Sequence, residues 1–188
     1  TGFTITNGMN YGGGGIRCYY SSPTLTNMII TNNIGGEGGG GIGFNTSNAI
    51  LVDLIIKNNY GDLDGGGITC HHSNPHLINV MIYNNSCYRE GGGIFNWDSS
   101  PILENVTISN NSASINGGGI SCHENSHPSL VNCILYNNFP QEVAFLDNQW
   151  NTPNSISIAF SNIQGGESEI VTYDNGEIFW LIGNIDSD

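Results

Sequence analysis

Hydrophobic and polar residues alternate in short stretches of this chain, and glycine, asparagine, serine or proline bounds each stretch. Ile16 and Cys18 alternate with Arg17 and Tyr19, and residues 28–31 follow a similar pattern. A period of two residues is typical of β-strands, because successive side chains point to opposite faces of a sheet. The pattern therefore predicts an all-β protein in which several short strands are separated by turns.

These stretches recur with a strict period of 26 residues. Each glycine run ends in an isoleucine at the same point of the repeat, at Ile16, Ile42, Ile68, Ile94 and Ile120. A leucine column and paired asparagines keep the same step, which slips by one in the last repeat because a residue is inserted between Cys122 and Pro128. A strict repeat of this kind indicates a solenoid whose equivalent positions stack about 4.8 Å apart. We therefore predict a right-handed, single-stranded parallel β-helix with coils of 26 residues.

The repeat divides the chain into two parts. Five regular coils are visible, and the period is then lost, although strand-like stretches persist at residues 143–146, 155–161 and 177–182. We predict that residues 1–138 form the regular coils, and that residues 139–188 form irregular coils or a C-terminal cap of the same domain. A cap is expected because the open strand edges of a solenoid pair readily with other chains.

The glycines, the asparagines and the cysteines are assigned to the fold. Glycine and asparagine adopt positive φ at turns, and stacked asparagine side chains can hydrogen-bond along the solenoid axis as a ladder. Cys18, Cys70 and Cys122 share one inward column, but they lie two coil steps apart. That separation is roughly 9.6 Å, whereas a disulfide needs Cα atoms within about 7 Å. The five cysteines are therefore predicted to be buried and unbridged.

Composition narrows the range of partners. The chain has 16 acidic and three basic residues, which gives a net charge of −13. Such a charge opposes binding to nucleic acid and to anionic membrane surfaces. No apolar stretch approaches the roughly 20 residues that span a bilayer, so membrane insertion is not predicted either.

The repeated motifs have a family resemblance. The GGGI element, the S-x-P-x-L turn and the I-x-N-N strand ending, which cover residues 1–138, resemble the parallel β-helix repeats of bacterial surface and secreted proteins. The GGGI element is also similar to the GGA-I repeat of chlamydial polymorphic outer membrane proteins. The resemblance implies an extracellular or cell-surface location. It implies little about activity, because one β-helix scaffold carries lyases, hydrolases and adhesins.

One outward face of the coils combines aromatic, imidazole and carboxylate side chains. These groups suit a polysaccharide or a cell-surface glycan, since sugar rings present both apolar faces and hydroxyl groups. The alternative is that the side chains only stack from coil to coil and stabilise the sheet. The predicted ligand-binding residues are Tyr19, Tyr20, His71, Trp97 and His123.

Two further groups of residues could carry chemistry. His72, Asp98 and Glu124 lie one coil apart at the next position, which would allow acid–base catalysis. Asp64 and Glu90 share a column in the turns before the glycine runs, where they are either solvated or bridged by Ca²⁺, which favours carboxylate oxygens. No other cofactor is predicted.

Three functions are compatible with this pattern. The leading hypothesis is a non-enzymatic surface module, a stalk or adhesin-type segment that binds glycan on the outward face. The first alternative is a polysaccharide lyase or glycoside hydrolase that uses His72, Asp98 and Glu124. The second is a spacer or filament subunit that self-associates end to end.

Overall fold

The computed structural model of the protein describes residues 2–146 and 152–187. In this part of the chain the strands form three sheets of parallel strands, and the one helix is a short 3-10 turn at Gly166–Glu169. Strands pair with their equivalents one repeat away, so that Ile42 lies between Ile16 and Ile68. The predicted all-β parallel β-helix with 26-residue coils is confirmed.

The three sheets run along the length of the solenoid. The seven-stranded sheet follows the glycine runs and contains Ile16–Tyr19, Ile42–Asn45, Ile68–His71, Ile94–Trp97, Ile120–His123, Val143–Phe145 and Ile170–Val171. The five-stranded sheet contains Met9–Asn10, Ile34–Gly35, Tyr60–Gly61, Ser86–Cys87 and Ser112–Ala113. The thirteen-stranded sheet contains Phe3–Thr6, Thr24–Thr31, Ile50–Lys57, His76–Ile78, Met81–Tyr83, Ile102–Glu104, Thr107–Ser109, Ser129–Val131, Ile134–Tyr136, Asn154–Ala159, Asn162–Gln164, Gly176–Trp180 and Ile185–Ser187.

The core is a narrow column of inward side chains. Isoleucine, leucine and valine from the sheets fill most of it, and Phe44 and Phe145 occupy the cysteine column. Coil stacking continues past the regular repeats, because Val143–Phe145 pairs with the strand at Ile120 and then with Ile170. The solenoid therefore continues in residues 139–146 and 152–187, even though the sequence period is lost there.

A buried asparagine ladder runs along one corner of the core. Its members are Asn33, Asn59, Asn85, Asn111 and Asn138. Each of the first four donates its backbone N–H and its side-chain Nδ2–H to the Oδ1 atom of the next, at 2.9–3.0 Å. A second Nδ2–H reaches back to a strand carbonyl, as from Asn85 to Ile56 at 3.0 Å. The predicted ladder is confirmed, and its side-chain amides are fully hydrogen-bonded along its length.

The ladder ends on a carboxylate. Glu142 accepts the backbone N–H of Asn138 through Oε1, at 3.0 Å, and the side-chain Nδ2–H through Oε2. Burial raises the pKa of Glu142, and the hydrogen bonds from Asn138 oppose that rise. Both carboxyl oxygens of Glu142 accept from Asn138, and unlike asparagine it has no side-chain amide N–H with which to continue the ladder.

Apart from the glycine runs, three corners of each regular coil adopt positive φ. At two of them the residue is asparagine in nearly every coil, as at Asn79 (φ 55°) and Asn84 (φ 54°). Asparagine tolerates this left-handed conformation better than most residues. The third corner, which follows the seven-stranded sheet, carries Tyr20, Thr46, His72, Asp98 and Glu124, with φ between 45° and 51°.

The loops before the glycine runs fold back over the outer surface of the seven-stranded sheet. A Cβ atom on Gly43 would lie 2.0 Å from the carbonyl oxygen of Gly12, and Thr69 Oγ1 accepts the N–H of Gly39 at 2.7 Å. As a result Thr69, Phe95 and Ser121 are buried although they point outward. Separate clefts lined by these loops, by the ends of the strands and by the corner that follows them lie along this face, and we call this row of clefts the groove.

Breaking the ladder is expected to be costly. Asn85→Ala leaves the backbone N–H and one side-chain N–H of Asn59 without an acceptor inside the protein, and it removes the side-chain donor to the carbonyl of Ile56. Because each unpaired buried group costs about 1–3 kcal/mol, we expect the free energy of unfolding in urea to fall by at least about 2 kcal/mol. The control is Asn84→Gly, an exposed corner position where glycine keeps positive φ. Equal losses in the two variants would show that the ladder contributes little.

The thiols are expected to be unreactive in the native protein. All five cysteines are buried and unbridged, as predicted. Burial raises the pKa of Cys87 and Cys122 to about 12, that of Cys133 to about 11, and also those of Cys18 and Cys70. Because the thiolate is the reactive form, Ellman's reagent should label at most Cys18 before unfolding and all five thiols in denaturant. Rapid labelling of several thiols in the native state would contradict this packing.

Candidate functional site

A stack of three rings stands on the outer edge of the seven-stranded sheet. Trp97 lies between His71 and His123, with ring centroids 6.1 and 5.4 Å away and planes tilted by 20° and 11°. Phe95 packs beneath both imidazoles, at 5.8 and 5.2 Å. The two faces of the indole are therefore covered by imidazole rings. A ligand can reach its edge, but it cannot stack on it.

The two predicted tyrosines form a separate group on the same face. Tyr19 and Tyr20 make an edge-to-face pair with centroids 4.5 Å apart, and the guanidinium of Arg17 lies 5.4 Å from the Tyr19 ring. Asn45 separates this pair from His71. The five predicted ligand-binding residues thus share one face but divide into the tyrosine pair and the ring stack.

Carboxylates from the loops reach across the groove. Glu90 contacts His123 through Oε2 and Nε2 at 2.7 Å, and both side chains are largely buried. Asp64 lies 3.4 Å from Nε of Arg89. Burial raises the pKa of Asp64 to about 6, against the opposing effect of Arg89. His71 has a lowered pKa, chiefly because it is buried and secondly because His72 is near.

The proposed calcium ligands are occupied by other partners. Asp64 and Glu90 each contact a basic side chain rather than facing each other across an empty site. Among the described residues, no group of three or more His, Cys, Asp or Glu side chains is arranged to hold a metal ion. Calcium binding by Asp64 and Glu90 stays a prediction.

The third corner of the coils forms an open cleft of about 500 Å³. The three candidate catalytic residues meet there because successive coils place their corners one above the other. His72 Nδ1 lies 2.9 Å from Asp98 Oδ2, and Thr152 Oγ1 donates to Glu124 Oε2 at 3.0 Å. We call this the corner cleft; its lining residues are His72, Trp97, Asp98, Glu124, Asn125 and Thr152.

Two residues of the corner cleft were not predicted. Asn125 lies in the segment where the sequence has one residue more than the other coils, and it donates to Asp98 Oδ1 at 3.4 Å. The insertion was visible, and an extra residue at a corner is a signal for an altered site. Thr152 lies where the period is lost, so no sequence column could place it there.

These observations define the class of protein, a parallel β-helix with one outer face that differs in composition from the rest. Residues 105–123 match the family model of the Chlamydia polymorphic membrane protein repeat. The match confirms the predicted resemblance, and it indicates a bacterial surface protein built on a β-helix. Of the predicted binding residues it includes only His123, so it describes the coil rather than the site. No curated protein and no solved structure matches the chain.

Within the described residues, no helix has the length and apolar character that a membrane-spanning helix requires.

The raised pKa of Asp64 predicts a pH-dependent effect on stability. Between about pH 4 and pH 6 the unfolded chain loses this proton while the folded chain keeps it, so Asp64 lowers stability as pH rises through that window. Asp64→Asn lacks this titration. We expect the stability of the variant, relative to wild type, to improve from pH 4 to pH 7 in urea unfolding.

The control is Asp62→Asn, which removes an exposed carboxylate from the same loop. An Asp64→Asn difference that stays constant over the pH range would show that Asp64 has its ordinary pKa in the folded protein.

Proposed function

We propose that this chain is a non-enzymatic module of the cell surface, of stalk or adhesin type, that binds glycan along the groove on its outer face. The contact surface would extend from Tyr19 and Tyr20, past His71, Trp97 and His123, to the corner cleft. An extracellular location is part of the proposal, and the match to a surface-protein repeat supports it.

The observation that carries the proposal is the composition of the third corner. A left-handed conformation costs most residues about 1–2 kcal/mol, and the other two corners avoid this cost by using asparagine. Thr46 and Glu124 do not avoid it, although the backbone there has the same positive φ. The residues at this corner are therefore not chosen for backbone conformation alone. Their side chains are exposed in a row along the surface, where they can contact a ligand.

The chemistry of the corner cleft suits carbohydrate. Carboxylate, amide, hydroxyl and imidazole groups can each hydrogen-bond to sugar hydroxyls, and the edge of Trp97 offers an apolar contact. Because the cleft is shallow and open, it fits one part of an extended chain better than an enclosed small molecule.

The scaffold holds these groups in fixed positions. Hydrogen bonds from coil to coil fix the corners, as between the N–H of His72 and the carbonyl of Trp97 at 3.0 Å. Ring stacking fixes His71, Trp97 and His123 against one another. A preorganised array loses little conformational entropy on binding, which favours affinity for a repetitive ligand.

One contact favours the enzymatic alternative. The imidazole of His72 is hydrogen-bonded to Asp98, and Glu124 lines the same cleft, which is an arrangement that acid–base catalysis can use. Incubation with plant and algal polysaccharides, with and without Ca²⁺, tests this alternative. New reducing ends or unsaturated products that disappear in His72→Asn would contradict the non-enzymatic proposal.

Binding and stability should separate in two matched corner variants. Asp98→Asn removes a carboxylate of the corner cleft but keeps a residue suited to positive φ. We expect its glycan binding, measured on an array and then by calorimetry, to fall at least about tenfold, with no loss of thermal stability. Asp53→Asn makes the same exchange at an exposed position of positive φ on an asparagine corner, outside the proposed contact surface, so it should bind as wild type does.

Equal binding by Asp98→Asn and wild type would remove the corner cleft from the proposed site. An array without any bound glycan, together with concentration-dependent end-to-end association, would instead support the spacer or filament alternative.

A further inference from the structure

A second cleft, of about 310 Å³, lies at the other end of the groove, between the tyrosine pair and His71. It exists because Asn45 is short where its column neighbours Tyr19 and His71 carry rings. Gly12, Gly38 and Gly43 form its floor and wall together with side chains of both charges. We call it the arginine cleft; its polar lining residues are Tyr11, Arg17, Glu37, Asn45, Thr69 and His71.

Arg17 is a free cation in a strongly acidic protein. The chain has only three basic residues against 16 acidic ones, and Arg89 is paired with Asp64. Within residues 2–146 and 152–187, Arg17 forms no ion pair; its guanidinium lies over the ring of Tyr19 instead. The carboxylate in the same cleft, Glu37, interacts with Tyr11, whose pKa it raises through a hydrogen bond.

The surroundings of Arg17 hold its guanidinium in place. A Cβ atom on Gly12 would lie 2.5 Å from Nε of Arg17, so the side chain rests directly on glycine backbone. The central carbon of the guanidinium lies over the Tyr19 ring, and the N–H groups of a guanidinium point outward in its own plane. An arginine held in this way can bind a carboxylate through two parallel hydrogen bonds.

The charge of the rest of the groove limits the ligand to one carboxylate. Asp98 and Glu124 line the corner cleft, and the chain as a whole carries a net charge of −13. A polyanion laid along the groove would meet these like charges within about one Debye length, roughly 8 Å at physiological salt. A single acidic group at Arg17 would lie about three coil steps, or roughly 14 Å, from the coil of Trp97 and Asp98, and would be screened from them.

We propose that the arginine cleft binds the single carboxylate of a terminal acidic sugar, and that the neutral remainder of the glycan follows the groove to the corner cleft. This inference rests on the proposed function, whose site it deepens by naming the ligand class. The groove thereby has a direction: the acidic end of the glycan lies at Arg17, and hydroxyl-bearing sugars lie at Trp97 and Asp98.

A glycan array sorted by charge tests the inference. Its three classes are neutral glycans, the same glycans with one terminal carboxylate, and polyuronates or sulfated chains. We expect the singly acidic class to bind at least about tenfold tighter than its neutral counterparts and the polyanions to bind least. The preference should disappear in Arg17→Gln and in Asn45→Trp, which fills the cleft with the residue found two coils further on.

The matched control is Lys57→Gln. Lys57 also lies over an aromatic ring, that of Tyr83, but on the thirteen-stranded sheet. Arg17→Gln and Lys57→Gln each make the net charge more negative by one. A difference in binding between them therefore reports the contact of the glycan with Arg17 and not the change in net charge. Lys57→Gln should keep the preference, and circular dichroism and thermal unfolding confirm that each variant is folded.

Three outcomes overturn the inference: equal binding of neutral and singly acidic glycans, tightest binding of polyanions, or an Arg17→Gln variant that keeps the preference of wild type. In each of these cases bound glycan still supports the proposed function. An array with no bound glycan of any class contradicts both.

Discussion

The inner asparagines of the buried ladder each accept two hydrogen bonds from the preceding coil and donate two to the next, so the ladder works only when coils stack with every equivalent residue in register. A slip of one residue would leave several buried donors and acceptors unpaired, at about 1–3 kcal/mol each. The ladder ends at Glu142, which accepts hydrogen bonds from Asn138 but has no side-chain N–H to donate to a further coil. Because the ladder fixes the register, residues at equivalent positions of successive repeats lie next to one another along the solenoid.

Constant register also divides the residues between scaffold and surface. The core, the ladder and the two asparagine corners repeat with little variation, since any change there affects stacking. Variation is concentrated at the third corner and at the strand end before it, where Asn45 and Trp97 occupy the same column. A β-helix can therefore alter its outer groove coil by coil while its backbone stays the same, which explains why regular coils present two different clefts.

Electrostatics gives the groove its chemical character. Where loop and strand approach most closely, opposite charges are paired and shielded, as for Glu90 and His123. At the two ends the charges are more exposed: Arg17 forms no ion pair among the described residues, while in the corner cleft Asp98 contacts His72 and Glu124 accepts a hydrogen bond from Thr152. A charged side chain without an ion-pair partner gives up less interaction energy when it contacts a ligand than a paired one does, because no contact within the protein has to be broken.

The sequence by itself determined the all-β class, the coil length, the buried and unbridged cysteines and the asparagine ladder, because all of these follow from one period along the chain. It also identified the outer face and brought His72, Asp98 and Glu124 to one corner. Only the tertiary structure decided that the faces of Trp97 are covered and that Glu90 reaches His123, 33 residues further on. A period records which residues stack along the axis, but it does not record how a loop folds sideways across a sheet.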